Sequence, residues 1–306
     1  MSRLKTLLLS LWDRFAHFRI RMRQTILYRR DARFVRRHNP PQVLSIGETL
    51  DRIADEELSV ARFGDGEIKL TAGRDISFQK NNPALQSALA RTLSCDTPGF
   101  LVCIPPVFGD RSFLLEKHDA HWKKHLSEFR PVWYKYLREG KTYGNAFLSR
   151  CYVLLRDRSP SADYFRRMKR IWAGRDLLIV EGEKSRLGIG NDLFADARSV
   201  TRILGPAENA FDKHDALLEA AKRHGRDKLI LLALGPTATV LSLELFEAGY
   251  RAVDLGHADI EYEWFLAGAQ DRVPVKNKFV NEAGAGKGVG DLADETYQSQ
   301  IAERVL

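Results

Sequence analysis

Residues 229–255 read LILLALGPTATVLSLELFEAGYRAVDL, and their order of apolar, turn and helical segments decides the fold. The apolar run Leu229–Leu234 predicts a strand and Gly235-Pro236 turns the chain. Thr237 and Thr239 stand in the first turn of a helix predicted over Thr237–Ala248, Gly249 stops that helix, and Ala252–Leu255 predicts a second strand. Pro at the helix start with Gly past its end marks the direction and limits of the helix, so the segment reads as a βαβ unit.

Working outward, the same alternation recurs. Further strands are predicted at Leu58–Phe63, Phe100–Ile104, Leu177–Glu181 and Val200–Leu204; helices at Ile46–Ala54, Pro83–Leu93, around Ser112–Leu137 and at Asp212–His224. Short β-rich runs alternating with amphipathic stretches predict an α/β fold, a mostly parallel sheet flanked by helices, with no internal repeat. With 306 residues, 44% of them hydrophobic, the chain can bury a substantial core. Cys95, Cys103 and Cys151 are odd in number and form no CxxC pair, which argues against a disulfide framework or a zinc site and fits a reducing cytoplasm.

The formal charge of +8 is not spread over the chain. Residues 1–38 hold eleven Lys/Arg against Asp13 and Asp31, a net of +9, so the remainder carries −1. A nucleic-acid enzyme would carry such charge on its body, where it neutralises phosphates. Here Leu4, Leu8, Leu11, Phe15, Phe18 and Met22 recur at steps of four and three, predicting a basic amphipathic helix. Its apolar run Leu7–Trp12 is far short of the roughly 20 residues that span a bilayer, and no secretory cleavage pattern is present. The expectation is attachment to an anionic membrane surface, with packing on the body or on a second subunit as the alternative. The organisation expected is therefore a helical extension at 1–38, a linker at 39–45 around Pro40-Pro41, and one globular domain over 46–306.

In open parallel sheets, ligands bind beyond the carboxyl ends of the strands, which singles out three segments. Arg62-Phe63-Gly64-Asp65-Gly66-Glu67 follows the first strand and puts two carboxylates, separated by one glycine, where a hard divalent cation could bridge to phosphate. Spacing alone favours a polar turn with a helix-capping Asp, and Arg62 could neutralise phosphate or pair with the carboxylates. Gly182 to Asn191 follows Leu177–Glu181 and offers glycine-freed amides with Lys184, Ser185 and Arg186 as a diphosphate cradle, though without a dinucleotide fingerprint. Gly256-His257-Ala258-Asp259-Ile260-Glu261-Tyr262-Glu263 follows Ala252–Leu255 with one imidazole and three carboxylates. A structural reading makes Asp259 the N-cap of a helix. The stretch Gly284–Gly288 lacks the residues of a P-loop and reads as a mobile loop.

Taken together, these segments resemble the GT-D class of glycosyltransferases, a bacterial family first catalogued as a domain of unknown function. The resemblance covers roughly Ile46 to Asn281. Besides the three segments, it rests on Tyr143-Gly144-Asn145-Ala146 with Ser149-Arg150, Gly188 to Phe194, Leu234-Gly235-Pro236-Thr237-Ala238 and Lys276 to Glu282. It implies a Rossmann-like fold and transfer of a sugar from a nucleotide-sugar donor, such as a UDP-sugar, to a precursor of a surface glycan. It further implies a divalent metal, Mn²⁺ or Mg²⁺, held by Asp65 and Glu67, with Arg62, Gly64, Gly66, Lys184, Ser185, Arg186, Gly235 and Thr237 around the donor. A metal-dependent phosphohydrolase or a sugar-nucleotide-binding module would use the same residues. The basic N-terminal helix is outside the resemblance; an enzyme peripheral on the inner membrane face, acting on a lipid-linked acceptor and with oligomerisation open, is the expectation it adds. In the acidic segment, helical geometry puts Asp259 and Glu263 on one face and Glu261 about 200° away. That reading makes Glu263 the catalytic base, Asp259 an organiser of the site and His257 a donor or acceptor contact.

Overall fold

The computed structural model describes residues 3–280, 283, 289–290 and 292–306; within the N-terminal helix, side chains are described for Trp12, Phe18, Arg19 and residues 21–35. The elements are, in order, α1 (Arg3–Val35), β1 (Gln42–Val43), α2 (Ile46–Asp55), β2 (Ser59–Arg62), α3 (Asp65–Thr71), α4 (Pro83–Leu93), β3 (Phe100–Ile104), α5 (Glu116–Tyr136), β4 (Thr142–Asn145) and α6 (Ser161–Arg170). There follow β5 (Asp176–Gly182), β6 (Ser199–Gly205), α7 (His214–His224), β7 (Leu229–Ala233), α8 (Pro236–Glu247), β8 (Ala252–Asp254), α9 (Ala258–Leu266), α10 (Glu295–Gln300) and β9 (Ile301–Arg304).

The strands form one sheet in the order β1-β4-β3-β2-β8-β7-β5-β6-β9, and its pairings are parallel throughout. Both faces are covered, as a parallel sheet requires. Leu177 and Ile179 of β5, with Leu229 and Leu231 of β7, point into the larger apolar cluster. Their alternates Leu178, Val180, Ile230 and Leu232 point into a second cluster with Leu217, Ala220 and Leu241. The period of two along each strand thus feeds two cores. The βαβ unit read from the sequence is present, with α8 buried along nearly its whole length, which explains why its apolar residues are not confined to one stripe.

The strands with apolar runs lie within a residue or two of their predicted limits. The sequence did not point to β1, β4 and β9. β4 is Thr-Tyr-Gly-Asn, with two poor strand formers, and exists because its neighbours hold it: Thr49 Oγ1 accepts from Asn145 N at 2.9 Å, and Leu44 N donates to Tyr143 O at 2.9 Å. The segment 39–45, read as a linker, is accordingly part of the sheet through β1, and its Ser45 caps α2 in a capping box.

α1 packs its last turns on α5. Gln24 Nε2 donates to Ser127 Oγ (3.1 Å), the buried Arg130 donates Nε to Asp31 Oδ1 (2.5 Å) and Nη2 to Oδ2 (3.2 Å), and Phe34 meets Tyr134 edge-on. At 100° per residue, Gln24 and Asp31 lie together and roughly opposite Met22. The side turned away from the body therefore carries Phe18, Met22 and Ile26, each about half exposed or more, and Trp12. Leu4, Leu8, Leu11 and Phe15 of the expected apolar face lie outside the described side chains. Among the described residues, no helix is long and apolar enough to cross a membrane.

Two outcomes follow from the packing. Gly144 of β4 faces Cys103 and Leu101, and a Cβ there would lie 2.9 Å from Leu101 Cδ2 and closer still to Cys103 Sγ; Gly144→Ala should cost about 1–3 kcal/mol, read as a lowered melting temperature. His214, between α7 and α8, is largely buried, which disfavours its charge, but bonds to Glu244 Oε2 (2.6 Å) and Asp215 Oδ1 (2.9 Å) outweigh this and raise its pKa above the ordinary 6.5. The folded state holds this proton more tightly than the unfolded chain. Its contribution is therefore complete below about pH 6.5 and lost as pH rises through the folded pKa. Urea midpoints of the wild type and His214→Gln should differ most near pH 6 and converge toward pH 8.

Candidate functional site

The carboxyl ends of the central strands open into a cavity of about 1000 Å³. Gly64, Gly235 and Gly256, which border it, each stand where a strand gives way to a helix: β2 to α3, β7 to α8 and β8 to α9. The positive ends of those helices thus point at one volume, which favours an anion there.

Two of these glycines are dictated by their neighbours. A Cβ on Gly256 would overlap the Arg62 guanidinium, and Gly256 has φ +49; Gly235 has φ +56 and lies against the Phe78 ring. Arg62 is consequently fixed beneath Gly256. Its Nη2 donates to Asp254 Oδ1 and its Nε to Asp254 O, both at 2.9 Å. Of the two roles the sequence left open for Arg62, the pairing one is realised, with Asp254 as partner instead of Asp65 or Glu67.

Asp65 is the first residue of α3 and Glu67 the third. Glu67 Oε2 accepts from Gly64 N at 2.7 Å, capping the start of α3, and burial raises its pKa, with the nearby Asp254 charge adding to this. Burial also works against the charge of Asp65, but His121, 3.4 Å away, and Lys69 at 2.6 Å outweigh it and hold the carboxyl well below the usual range. Asp65 is thus ionised at any physiological pH. Its side chain is one-third exposed on the cavity wall. Among the described residues no group of three or more His, Cys, Asp or Glu is poised as a metal cage. Two hard oxygen donors beside an anion site are nonetheless the donor set that holds a cation jointly with substrate phosphate, so the residues fit the metal that the motif implies.

The acidic segment is sorted by its partners. Asp259 is buried and follows Ala258 in α9; the N-cap is His257, so the expected capping role of Asp259 is not the one found. Its carboxylate instead accepts from Gly188 N (2.8 Å), Asn191 Nδ2 (2.8 Å) and Lys278 Nζ (2.7 and 2.9 Å). Burial raises its pKa against the pull of Lys278. Glu263, one turn on, shares the same Lys278 (2.7 Å) and Asn191 (2.7 Å) and is not among the residues that border the cavity. Glu261 faces away, as its angle predicts, and accepts from the amides of Tyr152 and Val153. His257 borders the cavity, its Nδ1 accepting from Arg150 Nη2 at 3.2 Å. The expected catalytic trio is therefore split: His257 and Asp259 reach the cavity, and Glu263 stands behind Lys278.

The expected donor cradle is split as well. Arg62, Gly64, Gly66, Ser185 and Gly235 border the cavity. Arg186 instead ties down a later segment, donating to Asn277 O (2.7 Å) and Gly290 O (2.5 Å), and Lys184 meets that segment through its carbonyl, which accepts from Phe279 N. Thr237 is fully buried in α8. The Gly284–Gly288 loop lies outside the described residues.

Sequence reading missed Lys69 and His121, and gave no role to Asn191 and Lys278 although both lie in segments that carry the resemblance. Lys69 could have been found four residues after Asp65; His121, on α5, could not, because only tertiary packing brings it to Asp65. With it α5 contributes Lys117, His118 and Trp122 to the wall; burial, reinforced by the charges of Arg272 and Lys117, pushes His118 down to about 4, leaving it neutral.

The family described as "Glycosyltransferase GT-D fold" matches residues 60–283. A probable glycosyl transferase, Gly, of Streptococcus gordonii is 41% identical over 261 residues, 85% of this chain and 38% of that protein. The glycosyltransferase GlyD of Streptococcus pneumoniae is 40% identical over 266 residues, 87% of this chain and 33% of that protein. The chain thus spans little more than a third of the length of these relatives. Among solved structures, a domain of unknown function 1792 described as having a distinct glycosyltransferase fold aligns with TM-score 0.83 and 38% identity, over 92% of this chain and 99% of that one. A glycosyltransferase of the same domain type from Streptococcus sanguinis aligns with TM-score 0.83 and 40% identity, over 87% and 100%.

The network around Lys278 yields a contrast between two substitutions. Lys278→Met leaves two carboxylates, one of them fully buried, without their shared cation and should destabilise the fold by about 3–5 kcal/mol. Glu263→Gln leaves the Lys278–Asp259 pair in place, so turnover should stay within about threefold of wild type. A loss of a hundredfold or more in kcat with donor binding retained would make Glu263 the base.

Proposed function

This chain belongs to the GT-D family of glycosyltransferases, and we propose that it transfers a glycosyl group from a nucleotide-sugar donor, first among them a UDP-sugar, to a precursor of a cell-surface glycan. The observation that carries this reading is the convergence of Asp65, Glu67 and the amino ends of α3, α8 and α9 on one cavity large enough for a nucleoside diphosphate sugar.

In this reading Asp65 and Glu67 hold a divalent cation, Mn²⁺ or Mg²⁺, which when bound offsets the charge of the donor diphosphate as it leaves. The residues of the chain do the rest. Lys69 and His121 keep Asp65 ionised, so no proton need be lost before the cation is held. The Gly64 amide orients Glu67 through Oε2. The amino ends of α8 and α9 supply fixed positive potential that costs no reorganisation as charge develops on the leaving group. Asp259 acts through Gly188, Asn191 and Lys278, joining the loop after β5 to α9 and so fixing the wall that His257 completes; His257 contacts the donor. The acceptor hydroxyl is held against the anomeric carbon by the remaining wall.

We place the enzyme at the cytoplasmic face of the membrane, on a lipid-linked acceptor. Support comes from α1, whose body-facing side is occupied by α5 while Phe18, Met22 and Ile26 stay exposed among arginines. An apolar stripe seats in the headgroup region, and each nearby Lys/Arg adds about 1 kcal/mol on an anionic surface.

Three experiments test these statements. Asp65→Asn and Glu67→Gln keep shape, and Gln retains the capping acceptor, so both should fold normally while Mn²⁺-dependent binding of UDP falls at least about tenfold; unchanged metal dependence in both removes the assignment. Release of UDP from UDP-glucose should depend on a glycan acceptor, whereas acceptor-independent release would make the protein a hydrolase. For the membrane, wild type should sediment with phosphatidylserine vesicles at low salt and Phe18→Ser/Met22→Ser/Ile26→Ser should not; equal sedimentation of both overturns the attachment.

A further inference from the structure

We propose that Phe78 is the platform on which the nucleobase of the donor stacks; the proposal rests on the nucleotide-sugar reading above and says where the two ends of that donor lie. Phe78 lies in the segment between α3 and α4. Ile76 and Gln79 exchange backbone hydrogen bonds, Ile76 N to Gln79 O at 3.0 Å and Gln79 N to Ile76 O at 3.4 Å, which leaves Ser77 and Phe78 at the tip of a tight turn. That tip is sewn to the loop after β6. Asn209 N donates to Phe78 O (2.9 Å), and Asn209 Oδ1 accepts from Lys80 N (2.8 Å). Asn209 has φ +52, a left-handed backbone that Asn tolerates. The buried Gln79 accepts from Phe211 N at 3.3 Å.

The turn spans the site. At one end Ile76 Cδ1 lies 3.4 Å from where a Cβ of Gly66 would be, against the Asp-Gly-Glu triplet. At the other, the Phe78 ring lies on Gly235, whose Cβ would come within 2.9 Å of Phe78 Cε2. Phe78 is only two residues beyond Ile76, within about 7 Å along the chain, so one short turn carries both the contact to the triplet and the aromatic ring on the same cavity.

The cavity is chemically two-ended. Around α3 it presents Arg62, Asp65, Glu67 and Lys69; around Phe78 it presents Gly182, Pro206, Ala207, Leu234 and Gly235, with Glu208 as the charged member of that wall. A carboxylate there repels phosphate and suits the N–H edge of a base. Phe63, Trp122 and Phe147, which also border the cavity, are buried by their neighbours, whereas Phe78 is only half-buried. Phe279, likewise half-buried, is the other aromatic on this wall. Phe78 is preferred because its turn is hydrogen-bonded to Asn209, on the loop after β6, and its ring lies on Gly235, between β7 and α8, and a rigid aromatic face is what stacking needs.

The test uses the full chain with Mn²⁺, with UDP and pyrophosphate as paired probes. Phe78→Ala and Phe78→Leu should both weaken UDP between about 5- and 100-fold and leave pyrophosphate unchanged; Phe78→Trp should restore UDP to within about threefold. Leu is the deciding variant, since it fills the space without a π-face and keeps the fold. Wild-type affinity in Phe78→Leu, an equal loss for pyrophosphate, or a loss confined to Phe279→Ala each overturns the platform. If the wild type transfers sugar from UDP-glucose while Phe78→Leu binds UDP normally, the platform falls alone; a wild type that binds no nucleoside diphosphate overturns the platform together with the functional reading.

Discussion

The pair Arg62–Asp254 lies at the seam on which the rest of the site depends. Asp254 ends β8 with its side chain 2% exposed, and burial raises its pKa against the pull of Arg62. A carboxylate in that position needs every one of its partners. It finds them in the Arg62 guanidinium and in Thr239 Oγ1, which donates at 3.1 Å to Oδ2 and 3.0 Å from Arg62 O. One charge pair therefore ties β2, β8 and α8 together at the point where the cavity begins. It also dictates a glycine at 256, because the guanidinium occupies the space a side chain would need, and so it sets where α9 starts and where His257 emerges.

The same principle sorts the other acids. Glu181 and Arg202, both essentially inaccessible, form a 2.5 Å pair between β5 and β6, and Glu181 also accepts from Leu187 N, fixing the start of the loop that carries Gly188 and Asn191. Asp259 and Glu263 share Lys278. Asp65, by contrast, is one-third exposed on the wall, and its neighbours keep it charged. The fully buried carboxylates Asp254, Glu181 and Asp259 thus hold loops and helices in place, whereas the partly exposed Asp65 faces the cavity. The division follows from solvation: a buried charge is tolerated only when satisfied inside the protein, whereas a charge at a cavity wall can exchange a protein partner for a ligand.

The family relationship and the geometry meet at this wall. The matched region, residues 60–283, begins within β2 and ends just past Lys278, taking in every residue of the seam and of the two acidic networks. α1 lies outside it and joins the body through α5, the helix that also supplies His121 and Trp122 to the cavity. The N-terminal helix and the cavity wall therefore share one structural support.

Local sequence determined the strands and helices whose signal is local. Short β-rich runs marked β3, β5, β6 and β7, Gly235-Pro236 and Gly249 bracketed α8, and the concentration of arginine before Pro40 separated α1 from the body. The triplet Asp65-Gly66-Glu67 was legible because it abuts a strand end, and the opposite facing of Glu261 and Glu263 because helical angle depends on sequence spacing alone. Tertiary structure decided which groups meet. Arg62 and Asp254 are 192 residues apart, Gly188 and Asp259 71 apart, and His121 reaches Asp65 from another helix. Thr237 was drawn into the core and Arg186 to the Asn277 carbonyl for the same reason, and β1, β4 and β9 form because neighbouring strands offer them hydrogen bonds. Periodicity and turn chemistry are written along the chain, but the partner of a buried charge is chosen by the order in which strands enter the sheet, and only the folded chain contains that order.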